Sequence, residues 1–373
     1  MEEAVLNVPL EKEEYIINMG PQHPSTHGVL RLVVSLRGEM VLNVEPHIGY
    51  VHRGIEKMCE SLTYSQIIHL TDRMDYLSAH INNEAVCLAV EKALGIEVSD
   101  RVKYIRTILS ELTRIQSHQL FWATYGMDLG GLTCFFYGLR DRELVMDIFE
   151  ETCGGRMIVS YNCPGGLMND IHPNFQKRTK DFIKYFRKTL PEYDRLLTGN
   201  VIFQERVKGL GTINRDDAIA WGLTGPVGRA SGFSCDIRKH NPYSAYNKVT
   251  FKEILYDEGD SFHRYKVRMD EMWESMNIIE QLIDNIPEGP YAEKMKPVIK
   301  LPEGEYWQSV ETARGELGVF IVSDGNKNPV RVKFRSPNFV NLAPLNILAK
   351  GFKIADLVAI NGSLDLVIPD IDR

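Results

Sequence analysis

From Ser99 to about Tyr125, Val102, Ile105, Leu109, Leu112 and Ile115 fall at steps of three and four. That period commits the stretch to a long helix with one face in a core. Ser99 and Asp100 are suitable N-caps for it. Glu111, Arg114 and His118 repeat the same spacing and can pair with one another along the helix. Two further helical patterns flank it, one from about Ser61 to Leu94 and one from about Phe135 to Cys153, the second stopped by Gly154-Gly155. Helices are also expected from Asn174 to about Leu197, with a kink or fresh start at Pro191, and from about Glu258 to Ile286, ended by Pro287-Glu-Gly-Pro290. Residues 201–213 read as short and β-like, and Asn214, with Asp217 three positions on, as a helix start.

On either side of this helical middle the apolar period changes to two. Residues 14–19 read as a strand, and Val29–Leu36 and Met40–Val44 read as a hairpin around Arg37-Gly38-Glu39. Tyr306–Thr312, Gly318–Ser323 and Val330–Phe334 read as a meander, joined by Arg314-Gly315 and by residues 324–329. The expected class is α+β. A central helical domain, 61–290, lies between an N-terminal β-hairpin region, 1–60, and a C-terminal β-containing region, 291–373, in one integrated unit.

Several function classes are disfavoured. No run of about 18 apolar residues is present, so no membrane-spanning helix is expected. The first residues lack the basic-then-apolar pattern of a secretory signal. A net charge of −7 and the absence of a basic run argue against nucleic acid as a partner. The six cysteines (Cys59, Cys87, Cys134, Cys153, Cys163 and Cys235) contain no Cys-x-x-Cys pair, so no metal is expected on this chain. Gly209-Leu-Gly211 would need a glycine at 214 to complete a dinucleotide fingerprint, and Asn214 stands there. Gly225–Gly232 lacks the Gly-Lys-Ser/Thr ending of a P-loop. Neither Gly-x-Ser-x-Gly nor His-Glu-x-x-His occurs. The expectation is a soluble protein on the cytoplasmic side, with thiols reduced.

Polar chemistry gathers in loops shaped by glycine and proline. Gly20-Pro-Gln-His-Pro-Ser-Thr-His-Gly-Val-Leu-Arg31 carries His23 and His27 between Pro21, Pro24 and two glycines. Two imidazoles in such a turn are accounted for equally by bonds to its own backbone. His52 and Arg53 follow in a glycine-interrupted passage, and Gly126–Gly131 reads as a loop presenting Asp128. Arg73, Tyr76, His80 and Glu84 fall at i, i+3, i+7 and i+11, on one face of the expected 61–94 helix, as either a solvated face or a buried polar seam. A tyrosine, a histidine and an aspartate together can donate and relay protons without attacking anything. That suits a redox carrier that takes two protons with two electrons delivered from elsewhere.

Four segments carry a resemblance over essentially the whole chain: the Gly20–Arg31 loop, His47-Ile-Gly-Tyr-Val-His-Arg-Gly-Ile-Glu-Lys57, Asp72-Arg-Met-Asp-Tyr76 and Gly225-Pro-Val-Gly-Arg-Ala-Ser-Gly232. With Asp236-Ile-Arg-Lys239, Ser336-Pro-Asn-Phe339 and Asp372-Arg373, they resemble the quinone-site D subunit of NADH:quinone oxidoreductase, respiratory complex I. The resemblance implies a fold like the nickel–iron hydrogenase large subunit. It implies a quinone-reduction pocket in the peripheral arm, formed with an adjacent subunit that carries the terminal iron–sulfur cluster. It further implies a membrane-arm subunit admitting the quinone, a position at the cytoplasmic face of the cell membrane, and coupling to proton translocation in other subunits. Carried over by position, His27 and Tyr76 would hold the quinone head group, Asp128 would partner His27, and Arg53 and Arg73 would lie near the neighbour's cluster. No cofactor is expected on this chain alone.

The pattern departs in two places. Ile158 stands where many family members have a histidine tied to proton-coupled cluster reduction, which points to menaquinone over ubiquinone; lineage drift is the alternative. Cys163 stands where an arginine is common. A hydrogenase would need two Cys-x-x-Cys pairs for its metal, and Cys59 is alone. Other expectations left open are a donor such as ferredoxin or deazaflavin, and a scaffold descended from the hydrogenase fold.

Overall fold

A computed structural model describes residues 14–23 and 28–373. Three strands, Glu14–Met19, Arg31–Arg37 and Met40–His47, form an antiparallel sheet in sequence order. Leu32, Val34 and Leu36 turn to the core, as the period-two pattern requires. A second antiparallel meander, Gly304–Thr312, Gly315–Ser323 and Arg331–Arg335, lies late in the chain. Between them the structure is helical apart from a two-stranded hairpin, Asn162–Cys163 with Gly166–Leu167, so the molecule is a mixture of helices and small antiparallel sheets.

The central element is the 29-residue helix Asp100–Asp128. Ser99 caps it, its hydroxyl accepting from the Val102 amide at 3.3 Å. The helices Leu132–Cys153 and Ser261–Ile283 pack along it. The first approaches very closely: a Cβ on Gly138 would stand 2.7 Å from the Ala123 methyl, and one on Gly126 2.7 Å from Cys134 Cβ.

Four expectations are corrected. The 61–94 pattern is two helices, Tyr64–Thr71 and Ala79–Leu94, separated by a turn over 72–78. Asp75 Oδ1 accepts from the Leu77 amide, and Asn82 Nδ2 donates to the carbonyls of Thr71 and Asp75. These side-chain bonds offer the backbone an alternative to the helix. Arg73 and Tyr76 therefore share no helix face with His80 and Glu84, which are fully buried in the following helix. Residues 201–213 begin with a helix, Val201–Val207, because the Asn200 side chain caps the amides of Ile202 and Phe203. Asp128 ends the long helix and does not sit in the glycine loop after it. Finally, Arg114 pairs with Glu111 at 3.3 Å, but His118 turns away to Glu271 at 2.9 Å. The Asn174–Leu197 expectation holds as Phe175–Tyr193 followed by a wider π-type turn, Asp194–Thr198.

A fully buried ionic cluster joins these elements. Arg229 reaches Glu311 at 2.7 Å and also Glu271, while Arg238 reaches Asp236 at 2.7 Å and Glu111 at 3.1 Å. Arg114 donates to the carbonyls of Glu311 and Thr312, tying the long helix to the late meander. Three guanidinium groups thus face four carboxylates, one negative charge too many for a dry site. Burial, with Asp236 nearby and Arg229 opposing, pushes Glu311 up to about 7. Burial also keeps His118 below its ordinary range.

This has a consequence for stability. Between about pH 4.5 and 7 the folded chain retains at Glu311 a proton that the unfolded chain has lost. Glu311 thus contributes fully below about pH 4.5, and the contribution fades as pH rises through about 7. Glu311→Gln, neutral at every pH, is expected to flatten the fall in thermal midpoint over that window, measured by calorimetry. An unchanged slope would place the proton elsewhere.

Candidate functional site

The 72–78 turn, the C-terminal end of the long helix and two distant segments converge on one pocket of about 140 Å³. Tyr76 and Asp128, at the end of the helix, both line it, together with Thr124 and the apolar Leu120 and Phe121. Arg314 and Asp365 form the polar back wall. Pockets that enclose drug-sized ligands hold roughly 300–1,000 Å³. This one is smaller than that range.

Arg314 and Asp365 are held by a network of hydrogen bonds. Arg314, 1 % exposed, sits on the turn between the first two strands of the late meander. Its Nη1 donates to Asp75 Oδ2 at 3.1 Å and to Ser117 Oγ at 2.8 Å, and its Nη2 to Asp365 Oδ1 at 3.1 Å. Its Nε donates to the Asp365 carbonyl. Burial raises the Tyr76 phenol above its ordinary range, Arg314 opposing and Asp75 and Asp365 adding to the rise. A phenol raised in this way has a proton available to donate and is no base near neutral pH. Close approach of the helix Ile354–Leu364 to the Asp128 end depends on Gly362, where a Cβ would meet the Tyr125 ring at 2.9 Å.

Arg53 and Arg73 come together elsewhere on the surface. Arg53 donates through Nη2 to the Arg73 carbonyl, and both side chains are exposed. The Arg53 loop is pinned by Asp372, whose carboxylate accepts from the amides of Gly49 and Val51 at 2.8 and 2.9 Å. His52 Nδ1 bonds to the Asp372 carbonyl, which gives that histidine a structural part. Arg373 pairs with Glu56 at 3.2 Å. His23 is exposed and bridges to Gly28 through the backbone. His27 lies outside the described residues. Of the expected site residues, the structure thus brings together Tyr76 with Asp128, and Arg53 with Arg73.

Sequence reasoning missed Arg314, Asp75 and Asp365. Arg314-Gly315 reads as an ordinary turn, and its partner Asp75 is 239 positions away. The available signal was an arginine at the tip of a strand pair whose neighbours are apolar. Arg314→Met is expected to cost about 3–5 kcal/mol of stability, read as a lower urea midpoint. It leaves Asp75 without its arginine and Asp365 with only Arg268, at 3.6 Å. A loss within about 0.5 kcal/mol, the range of neutral surface changes, would mean that these carboxylates do not depend on it.

Comparison with known proteins gives consistent matches. The family described as "Respiratory-chain NADH dehydrogenase, 49 Kd subunit" matches residues 128–373. The C/D subunit of the NADH-quinone oxidoreductase of Bacteroides thetaiotaomicron is 60% identical over 362 residues, covering 97% of this chain and 68% of that protein. The D subunit of the NADH-quinone oxidoreductase of Desulforamulus reducens is 47% identical over 363 residues, 97% of this chain and 99% of that protein. The corresponding protein of Geobacter metallireducens is 46% identical over 382 aligned positions, 96% of this chain and 98% of that protein.

Proposed function

The chain belongs to the family of the 49 kDa subunit of respiratory-chain NADH dehydrogenase and is a subunit of an NADH-quinone oxidoreductase, and from this we propose that it forms the quinone-reduction site. The observation that carries the reading is the convergence of Tyr76 and Asp128, 52 positions apart in sequence, on one small pocket that Leu120 and Phe121 also line. Tyr76 and His27 hold the quinone head group, and Asp128 keeps the His27 imidazole charged. Two electrons arrive from an iron–sulfur cluster held by an adjacent subunit, and a phenol and an imidazole each supply one of the two protons that make the quinol. The paired Arg53 and Arg73 face that cluster, where positive charge favours its reduced state.

The fold is that of the nickel–iron hydrogenase large subunit without its metal-binding thiols, and its three regions act as one unit. No helix among the described residues is long and apolar enough to cross a membrane. The protein sits in the peripheral arm at the cytoplasmic face, with a membrane-arm subunit giving quinone its access and other subunits translocating protons. Ile158, in place of the histidine, favours menaquinone over ubiquinone.

Tyr76→Phe is expected to lower quinone-reductase kcat by about 10²-fold, the low end of what one positioned proton donor supplies. Electron transfer from NADH to an artificial upstream acceptor, and assembly of the complex, stay unchanged. Normal quinone kinetics in this variant would favour a scaffold role. In the wild-type complex, kcat/KM for a menaquinone analogue is expected to exceed that for a ubiquinone analogue of equal tail length, and the reverse order would overturn the menaquinone assignment.

A further inference from the structure

A groove of about 520 Å³, larger than the pocket beside Tyr76, runs between the end of the helix Ala79–Leu94 and residues 294–300. Leu94, Ile96 and Ile299 give it apolar walls, and Val298 is 52 % exposed along it. Lys294, Lys296 and Lys300 line it as well, and no carboxylate does. None of these lysines makes an ion pair or a hydrogen bond among the described residues. Glu97, next to Ile96, is already engaged by Lys103 at 2.9 Å. In a chain of net charge −7, three unanswered lysines beside apolar surface are a local excess of positive charge.

The main chain of this segment is as unanswered as its side chains. Covered and exposed residues alternate as in a strand. Met295 is half-buried between exposed Lys294 and Lys296, and Ile299 is buried between exposed Val298 and Lys300. Pro297 marks the bend between the two halves and disfavours a helical turn at Lys296. Yet no amide or carbonyl from 294 to 300 is hydrogen-bonded among the described residues. Both ends are fixed. The Glu293 amide donates to the Gly165 carbonyl at 2.8 Å, and the Leu301 carbonyl accepts from the Ser323 hydroxyl at 3.1 Å. Gly165 also makes room for Met295, since a Cβ there would stand 2.9 Å from Met295 Cγ. A segment anchored at each end and unpaired between is a preformed strand edge, the kind of surface that an incoming strand extends.

We propose that the groove seats an extended, acidic segment of a neighbouring polypeptide in the assembled enzyme. The backbone of that segment pairs with the open edge at 294–300, its apolar side chains enter between Leu94, Ile96 and Ile299, and its carboxylates meet the lysines. Lys294 and Lys296 face the same way two residues apart, so carboxylates at alternate positions match them. Exposed ion pairs add little affinity. The apolar contacts and main-chain bonds therefore hold the segment, while the lysines select an acidic one and speed its arrival. An anionic amphiphile would answer the lysines and the apolar walls but leave the open backbone unpaired. The proposal needs only that the chain is a subunit of a larger enzyme, and it stands or falls apart from the quinone-site reading.

The purified complex supplies the test. After treatment with a zero-length carbodiimide, mass spectrometry is expected to find Lys294, Lys296 or Lys300 joined to an aspartate or glutamate of another subunit. Hydrogen exchange at the amides of 294–300 is expected to be slowed in the complex, although no acceptor for them lies among the described residues. The triple variant Lys294→Glu, Lys296→Glu, Lys300→Glu, all at exposed positions, loses the cross-links and returns the amides to unprotected rates. The triple arginine variant keeps the protection and loses only the cross-links, because a guanidinium retains the charge and gives no carbodiimide product. Unprotected amides in the wild-type complex overturn the proposal, as does protection that survives charge reversal. Cross-links only to a second copy of this chain overturn it too. Protection without a cross-link to any subunit points to a bound lipid and overturns it likewise. Should the charge-reversed complex fail to assemble, the wild-type and arginine complexes decide by the same two measurements.

Discussion

A guanidinium taken out of water must have its charge answered at close range, because the desolvation of an unpaired ion amounts to several kcal/mol. Arg314 meets that demand by drawing on parts of the chain that have no other reason to meet. Asp75 comes from the broken helix, Ser117 from the middle of the long helix and Asp365 from the segment after Ile354–Leu364. Even its carbonyl is engaged, accepting from Asn341. Gly225 allows the next layer to close over it, since a Cβ there would stand 2.4 Å from the Arg314 oxygen. The pocket wall, the Tyr76 turn and the late meander are therefore fixed by the same residue.

The larger ionic cluster of Arg114, Arg229 and Arg238 is buried like Arg314 and also ties distant segments together. A buried cluster of this kind contributes little net stability beside a well-packed apolar core. What it does impose is register. Each arginine bridges two or more segments in a geometry that a slipped helix could not reproduce, and Tyr246 and Ser275 complete Glu111 with hydroxyl donors at 2.6 Å. Positional accuracy of this order is what any group that must meet a ligand at a fixed distance requires of its support.

Local chemistry was legible in the sequence, and pairings over long distances were not. The cap at Ser99, the stop at Gly154, the hairpin around Gly38 and the late meander all follow from side chains acting within a few residues. The break at 72–78 did not, because Arg73 and Tyr76 keep a helical spacing while Asn82 and Asp75 take the backbone bonds a helix would need. The β-like reading of 201–213 failed for a similar reason, a single asparagine cap outweighing the propensity of Val201 and Ile202. Residue type put Tyr76 and Asp128 in a set with His23, His27, His52 and Arg53, and of that set the structure brings Tyr76 and Asp128 to one pocket. Arg314 and Asp365 were hidden, because their roles exist only once segments far apart in sequence have closed on each other.

The same separation governs the order in which the site can come into being. The Gly49–Arg53 loop is held by Asp372 across 321 and 323 positions, and the strand Met40–His47 by Asn346 across 302. Contacts this remote pay their loop-closure entropy only after the rest of the chain has condensed. The arginine pair and the pocket wall thus depend on closures that no local segment can make alone, and anything that held the two ends of the chain together, a bound neighbour included, would lower the entropy cost of completing them.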